Sequence, residues 1–220
     1  MKTAVAIFVV LFLVASVSAQ GPQTPLIPPH AQMVNVVLFG HSWAADMAGF
    51  QPWAFPNIPS SHVVVQGYHS LKCTDLLGVL LSSVPASTNA VFLITATNDI
   101  VDGVQVSQHM ACMQTMINDL IGENPNMLIL VSNVPPLCAN TIGSFGDERS
   151  RIAAYNQAYT GLPSMYPNNV KLIDMWTPMV DTNGWGLVNM FTGDGIHPGP
   201  NGWDLVMGTI RDALYANLPK

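Results

Sequence analysis

Five short apolar runs constrain this chain most: residues 34–39, closed by Gly40, residues 63–66, closed by Gly67, and residues 91–95, 127–132 and 170–173. Runs this short, rich in β-branched residues and almost free of polar ones, read as strands buried on both faces, the habit of a parallel sheet. Between them lie segments of helical period. Residues 71–81 carry apolar side chains at 71, 76, 77 and 80, and residues 104–121 place Val106, Met110, Met113, Ile117 and Leu120 on one face. Residues 147–161 and 201–218 complete the set. The methionines of the 104–121 stripe read as core packing, because the flexible thioether fills irregular gaps. Strand alternating with helix predicts an α/β fold, a three-layer α/β/α sandwich around a five-stranded parallel sheet, in one domain over residues 34–220. Ligands of such sheets bind beyond the carboxyl ends of the strands, so the chemistry is to be sought there.

Charge excludes several classes of function. Seven Lys and Arg face thirteen Asp and Glu, a formal charge of −6, and the chain has no basic run. Binding to nucleic acid or to anionic lipid through a basic surface is therefore not expected. With 49% hydrophobic and 9% charged residues, the composition is that of a chain with a core rather than a disordered one. Lys2, an apolar run from Ala4 to Val14 and small residues at Val17-Ser18-Ala19 predict a signal peptide over residues 1–19, removed after Ala19. The run is shorter than the roughly 20 residues that span a bilayer. A secreted, extracellular protein is expected, with no membrane association after cleavage. Residues 20–33, with Pro22, Pro25, Pro28 and Pro29, read as an extended lead-in. An oxidising compartment would join two of Cys73, Cys112 and Cys138, and spacing leaves all three pairings open. No CxxC or His-rich spacing points to a structural zinc site.

The strand ends collect the chemistry-bearing residues. Ser42 follows the first run, Gly67 ends the second, Asn98 follows the third, and Asp194 and His197 stand three apart in a Gly- and Pro-containing turn before the last helix. A serine hydroxyl is a useful nucleophile only beside a base, and the base needs a group that orients it. The Asp194–His197 spacing lets a carboxylate hold one ring nitrogen while the other faces Ser42. The backbone N–H groups of Ser42 and Gly67 and the amide of Asn98 are candidate donors to a developing oxyanion. Taken singly, Ser42 reads as a helix N-cap, Asn98 as turn chemistry and Gly67 as a turn glycine. Their joint occurrence at strand ends favours a catalytic site. Such chemistry needs neither a metal nor an organic cofactor.

These blocks resemble those of the GDSL/SGNH hydrolase superfamily, whose Ser, Gly, Asn and His match Ser42, Gly67, Asn98 and His197, with Asp194 as the Asp of its DxxH element. The resemblance runs from Val34 to the last helix. It implies a flavodoxin-like SGNH hydrolase fold, a Ser42–His197–Asp194 triad and an oxyanion hole of Ser42, Gly67 and Asn98. Two positions depart from the family pattern: His41 stands where the Gly-Asp-Ser block has its Asp, and Ala96 where the GxND block has its Gly. The string Gly40-His41-Ser42-Trp43-Ala44 is also similar to the GxSxG elbow of α/β-hydrolases, but only one strand precedes Ser42, whereas that elbow follows several.

Several stretches resemble the carbohydrate acetyl esterase (acetylxylan esterase) branch: Thr97-Asn98-Asp99, Asn133-Val134-Pro135-Pro136, Tyr155-Asn156, Lys171-Leu172-Ile173-Asp174-Met175 and Asp194-Gly195-Ile196-His197-Pro198. The implied substrate is a short-chain, acetyl ester on a small molecule or polysaccharide. Trp43, Trp53 and Trp185, with Phe55 and Trp176, are candidate sugar-stacking faces. Two alternatives stay open: a lipid or lysophospholipid esterase on the same fold, and a catalytically silent carbohydrate-binding protein.

Overall fold

A computed structural model describes residues 34–49, 55–138 and 148–218. The expected signal peptide and lead-in, and Trp53, lie outside the described residues. Five parallel strands form one sheet: β1 (Val36–Gly40), β2 (Val63–Gly67), β3 (Ala90–Ile94), β4 (Leu128–Ser132) and β5 (Val170–Ile173). Their order is β2-β1-β3-β4-β5, so the chain reverses its winding direction at β1. In open α/β sheets the crevice at such a reversal is where ligands bind.

Alternation along each strand divides the core in two. Val36, Leu38, Phe92, Ile94 and Leu130 face one layer, with Trp203, Val206, Met207, Ile210 and Leu214 of the carboxyl-terminal helix Pro200–Asn217. Val37, Phe39, Val91, Leu93, Ile129 and Val131 face the other, against the helices Cys73–Ser83, Val106–Glu123 and Glu148–Tyr159. The expected three-layer α/β/α sandwich forms.

In chain order the described α-helices are α1 (Ser42–Asp46), α2 (Cys73–Ser83), α3 (Thr97–Val101), α4 (Val106–Glu123), α5 (Glu148–Tyr159), α6 (Leu162–Met165) and α7 (Pro200–Asn217). The helix expected to begin at residue 71 starts at Cys73. The Lys72 N–H donates to Asp75 Oδ2 at 3.1 Å and closes the first turn there. The buried face of α4 is Met113, Ile117 and Leu120 as expected, but His109, Cys112 and Met116 complete it, while Val106 and Met110 sit at its margin. The disulfide joins Cys73 to Cys112. Cys138 keeps its thiol, which donates to the Gly186 carbonyl at 3.3 Å.

Candidate active site

β1 delivers Ser42 through the shortest possible connection. Gly40 ends the strand, His41 caps the helix, and Ser42 is the first residue of α1. The His41 Nδ1 accepts from the Trp43 N–H at 3.3 Å, satisfying one of the amides that the first helical turn leaves without a carbonyl. Ser42 sits at that same N-terminus, where backbone amides and the helix dipole favour negative charge.

The candidate base arrives from the other end of the chain. His197 Nε2 lies 2.8 Å from Ser42 Oγ, and His197 Nδ1 lies 2.6 Å from Asp194 Oδ2. With the carboxylate on Nδ1, the assigned tautomer carries its proton there and leaves Nε2 to accept from the serine hydroxyl. The other oxygen, Asp194 Oδ1, accepts from the Ile196 N–H at 2.9 Å, the His197 N–H at 3.0 Å and the Thr192 hydroxyl at 2.7 Å. Burial pushes the Asp194 pKa up, but the hydrogen bonds from the His197 ring and N–H, Ile196 and Thr192 outweigh it and hold the carboxyl well below the usual range. The loop is closed by the Thr192 N–H donating to the His197 carbonyl at 2.8 Å and by pairing of Phe191 with Pro198. Gly195, at φ +66°, makes the reversal that a side chain would disfavour.

Gly67 and Asn98 stand at the flanking strand ends. Gly40 is in register with Gly67 on one side and Ile94 on the other, so Ser42, Gly67 and Asn98 follow three adjacent strands at one edge. A Cβ at Gly67 would overlap the backbone of Ala45, so only glycine lets β2 end against α1. Asn98 lies in α3, and its Nδ2 donates to the Leu71 carbonyl at 2.8 Å, leaving the second amide proton available.

The expected aromatic platforms fare differently. Trp43 is 1% exposed, packs edge-on against Trp203 and Phe191, and donates from Nε1 to the Ile196 carbonyl at 3.0 Å. It is a core residue rather than a sugar-stacking face, because its ring turns under α1 into the apolar layer. Phe55 is likewise 1% exposed. Trp185 is half-buried, with the Arg149 guanidinium 5.4 Å over its ring. Trp176 is also half-buried, its N–H held by Asn133 and Asp174.

His41 is fully buried, and desolvation, followed by the nearby His197 and His109, lowers its pKa to about 3. It is neutral at every pH at which the site would work. Burial, with the Asp194 and Asp181 carboxylates, pushes the Cys138 thiol pKa up and keeps it protonated. Among the described residues, no cluster of three or more His, Cys, Asp or Glu is placed to hold a metal ion.

Sequence reasoning missed a buried polar group behind Asn98. Asp99, 2% exposed, accepts from the Cys73 N–H at 2.9 Å and lies 3.1 Å from His109 Nδ1, while His109 Nε2 is 2.5 Å from the Tyr159 hydroxyl. The only signal for it was a histidine inside the apolar stripe of α4.

The fold is shared with solved structures of low sequence identity. A GDSL-like lipase from Bacteroides thetaiotaomicron matches at TM-score 0.71 and 17% identity, covering 83% of this chain and 88% of that one. A lipase/acylhydrolase from Enterococcus faecalis matches at 0.63 and 18%, covering 85% and 98%. A carbohydrate esterase family 3 protein from Talaromyces cellulolyticus matches at 0.60 and 18%, covering 84% and 97%. A search of curated proteins finds no match. The sequence model of one family, however, matches residues 36–205, a span that takes in Ser42, Gly67, Asn98, Asp194 and His197. The chain therefore belongs to the GDSL-like Lipase/Acylhydrolase family and is a hydrolase that acts on esters.

Proposed function

We propose that this protein is a secreted serine esterase that removes short acyl groups, acetyl above all, from carbohydrate esters. The observation that carries the catalytic part is the contact of Ser42 Oγ with His197 Nε2 at 2.8 Å, between residues 155 apart in sequence, with Asp194 at 2.6 Å behind the ring. His197 takes the hydroxyl proton as Ser42 attacks the ester carbonyl. The tetrahedral oxyanion is held by the N–H groups of Ser42 and Gly67 and by the second Nδ2 proton of Asn98. His197 then returns the proton to the leaving alcohol. Water repeats the sequence on the acyl-enzyme, releasing the acid and restoring Ser42. Asp194 stays ionised, keeping the ring oriented and stabilising the imidazolium.

The acetyl-carbohydrate reading rests on the sequence stretches shared with that branch. In this fold those stretches lock the carboxyl edge: Asn156 bonds both the N–H and the carbonyl of Val134, and Asn133 bonds Asp174. Export rests on Lys2 and the apolar run after it, and the Cys73–Cys112 bridge is of a kind that persists in oxidising compartments. The test is hydrolysis of 4-nitrophenyl esters from acetate to palmitate, beside acetate release from acetylated xylan, with Ser42→Ala as control. Preference for acetate and release from xylan, both lost in Ser42→Ala, are expected. A maximum at long chains would make it a lipid esterase, and folded protein inactive on every ester would leave only carbohydrate binding.

A further inference from the structure

Asn98 and Asp99 are held by one short piece of backbone. Asn98 Nδ2 donates to the Leu71 carbonyl at 2.8 Å, and the Cys73 N–H donates to Asp99 Oδ2 at 2.9 Å. Residues 71–73 therefore form the cradle of the α3 start. The Leu71 bond fixes the plane of the Asn98 amide and so the direction of its second proton.

The cradle is in turn tied to α4, through Cys73 to Cys112. Cys112 lies three residues after His109, on the same helical face, and His109 Nδ1 is 3.1 Å from Asp99 Oδ1. Asp99, Cys73, Cys112 and His109 thus close a ring of contacts behind Asn98. Leu76 and Leu80 of α2 are buried in the same core layer as Met113, Met116 and Ile117 of α4, but the start of α2 borders an open cleft. The cleft, of about 360 Å³ and open to solvent, is lined by Lys72, Thr74, Asp99, Gln108, His109 and Cys112 among others. Groups that line such a cleft lack packing partners on its open side. Besides the hydrogen bonds to Asn98 and Asp99, the segment carries the exposed ion pair of Lys72 with Asp102 at 3.2 Å, a kind of contact that contributes little.

We propose that the Cys73–Cys112 disulfide is a positioning element of the oxyanion site, holding residues 71–73 where the Leu71 carbonyl orients the Asn98 amide. The proposal rests on the reading of Asn98 as an oxyanion donor. Without the bridge the cradle relaxes into the cleft, the Asn98 amide loses its fixed plane, and the oxyanion loses an aligned donor. Ground-state binding is untouched, because the donor acts on charge that develops only in the transition state.

The test is a double-mutant cycle on 4-nitrophenyl acetate with the full chain. Folding of each variant is checked by circular dichroism and a thermal melt. Cys73→Ala/Cys112→Ala is expected to lower kcat on the order of 10-fold with KM nearly unchanged, a displacement effect of the kind known for misplaced catalytic groups. In the Asn98→Ala background the same pair is expected to cost nothing further. A bridge that only stabilises the fold would give the same fold-loss in both backgrounds, and that result, or an undiminished kcat, overturns the proposal. Should the cysteine variant not fold, reduction of the bridge in the native chain with tris(2-carboxyethyl)phosphine, the freed thiols counted by mass spectrometry, carries the same test in both backgrounds. If Asn98→Ala retains full kcat, the oxyanion role and this proposal fall together while the Ser42 mechanism stands. A wild-type protein inactive on all esters defeats the functional reading itself.

Discussion

The indole of Trp43 donates from Nε1 to the carbonyl of Ile196 at 3.0 Å, which ties the residue after the proposed nucleophile to the residue before the proposed base. The two lie 153 positions apart in the chain. This bond, with the packing of the ring on Trp203 and Phe191, sets the distance at which α1 faces the Asp194–His197 loop. Trp43→Phe keeps an aromatic ring and removes the bond, leaving a carbonyl without its donor. A stability loss of about 1–3 kcal/mol is expected. Turnover is expected to fall on the order of 10-fold through looser Ser42–His197 geometry. KM for acetylated xylan stays close to wild type; a selective rise in that KM would instead place the ring on the sugar.

In the proposed mechanism Asp194 acts through orientation. Asp194→Asn preserves acceptance at one oxygen but presents an amide N–H to the ring nitrogen, favouring the tautomer that cannot take the serine proton. Turnover at neutral pH is expected to drop by about 10³–10⁴-fold in protein that circular dichroism shows to be folded. A loss of less than about 10-fold would show that the ring is held in its tautomer by something else.

Asn98→Ala removes the proposed oxyanion donor together with the bond to Leu71. A loss in kcat of about 10²–10³-fold is expected, the usual scale for one such donor. Steady-state kinetics on 4-nitrophenyl acetate read it directly. KM should change far less than kcat.

His41 gives the fold a specific acid sensitivity. Its pKa falls from an ordinary 6.5 to about 3 on burial, and its Nδ1 accepts from the Trp43 N–H, so a proton there would also break the helix cap. Between these two values the unfolded chain binds a proton that the folded chain does not, so this contribution to stability is complete above about pH 6.5 and is lost as pH falls toward 3. From pH 7 to 4.5 the loss from this one group is at most about 2.5 kcal/mol. Urea melts at the two pH values should show it in wild type. In His41→Asn, where an amide caps the helix without titrating, the drop should shrink accordingly. An identical drop in both proteins would remove His41 as the cause.

The sheet was legible because period and composition agree: each strand is a short apolar run rich in β-branched residues, and α2, α4 and α7 carry long apolar faces. The five-residue helices α1 and α3 were not, since a single turn and a half shows no period, and these are the elements that carry Ser42 and Asn98. The spacing of Asp194 and His197 and their place before the last helix were readable, whereas Thr192 as a further donor was not. Trp43 was misread because an aromatic beside a strand end looks alike in sequence whether it turns inward or outward; burial at 1% exposure decided it. The choice of Cys73 with Cys112 depends on how α2 lies against α4, a tertiary fact. The Asp99–His109–Tyr159 group was hidden because a paired buried histidine occupies an apolar position in the helical pattern.

Whether Ser42 is the nucleophile is read by peptide mapping by mass spectrometry after treatment with a serine-reactive fluorophosphonate. One adduct is expected, on Ser42, formed at least about 10²-fold more slowly in His197→Ala, where the proposed general base is missing. Folded wild-type protein that stays unlabelled, or that carries its adduct on another residue, would contradict that role for Ser42.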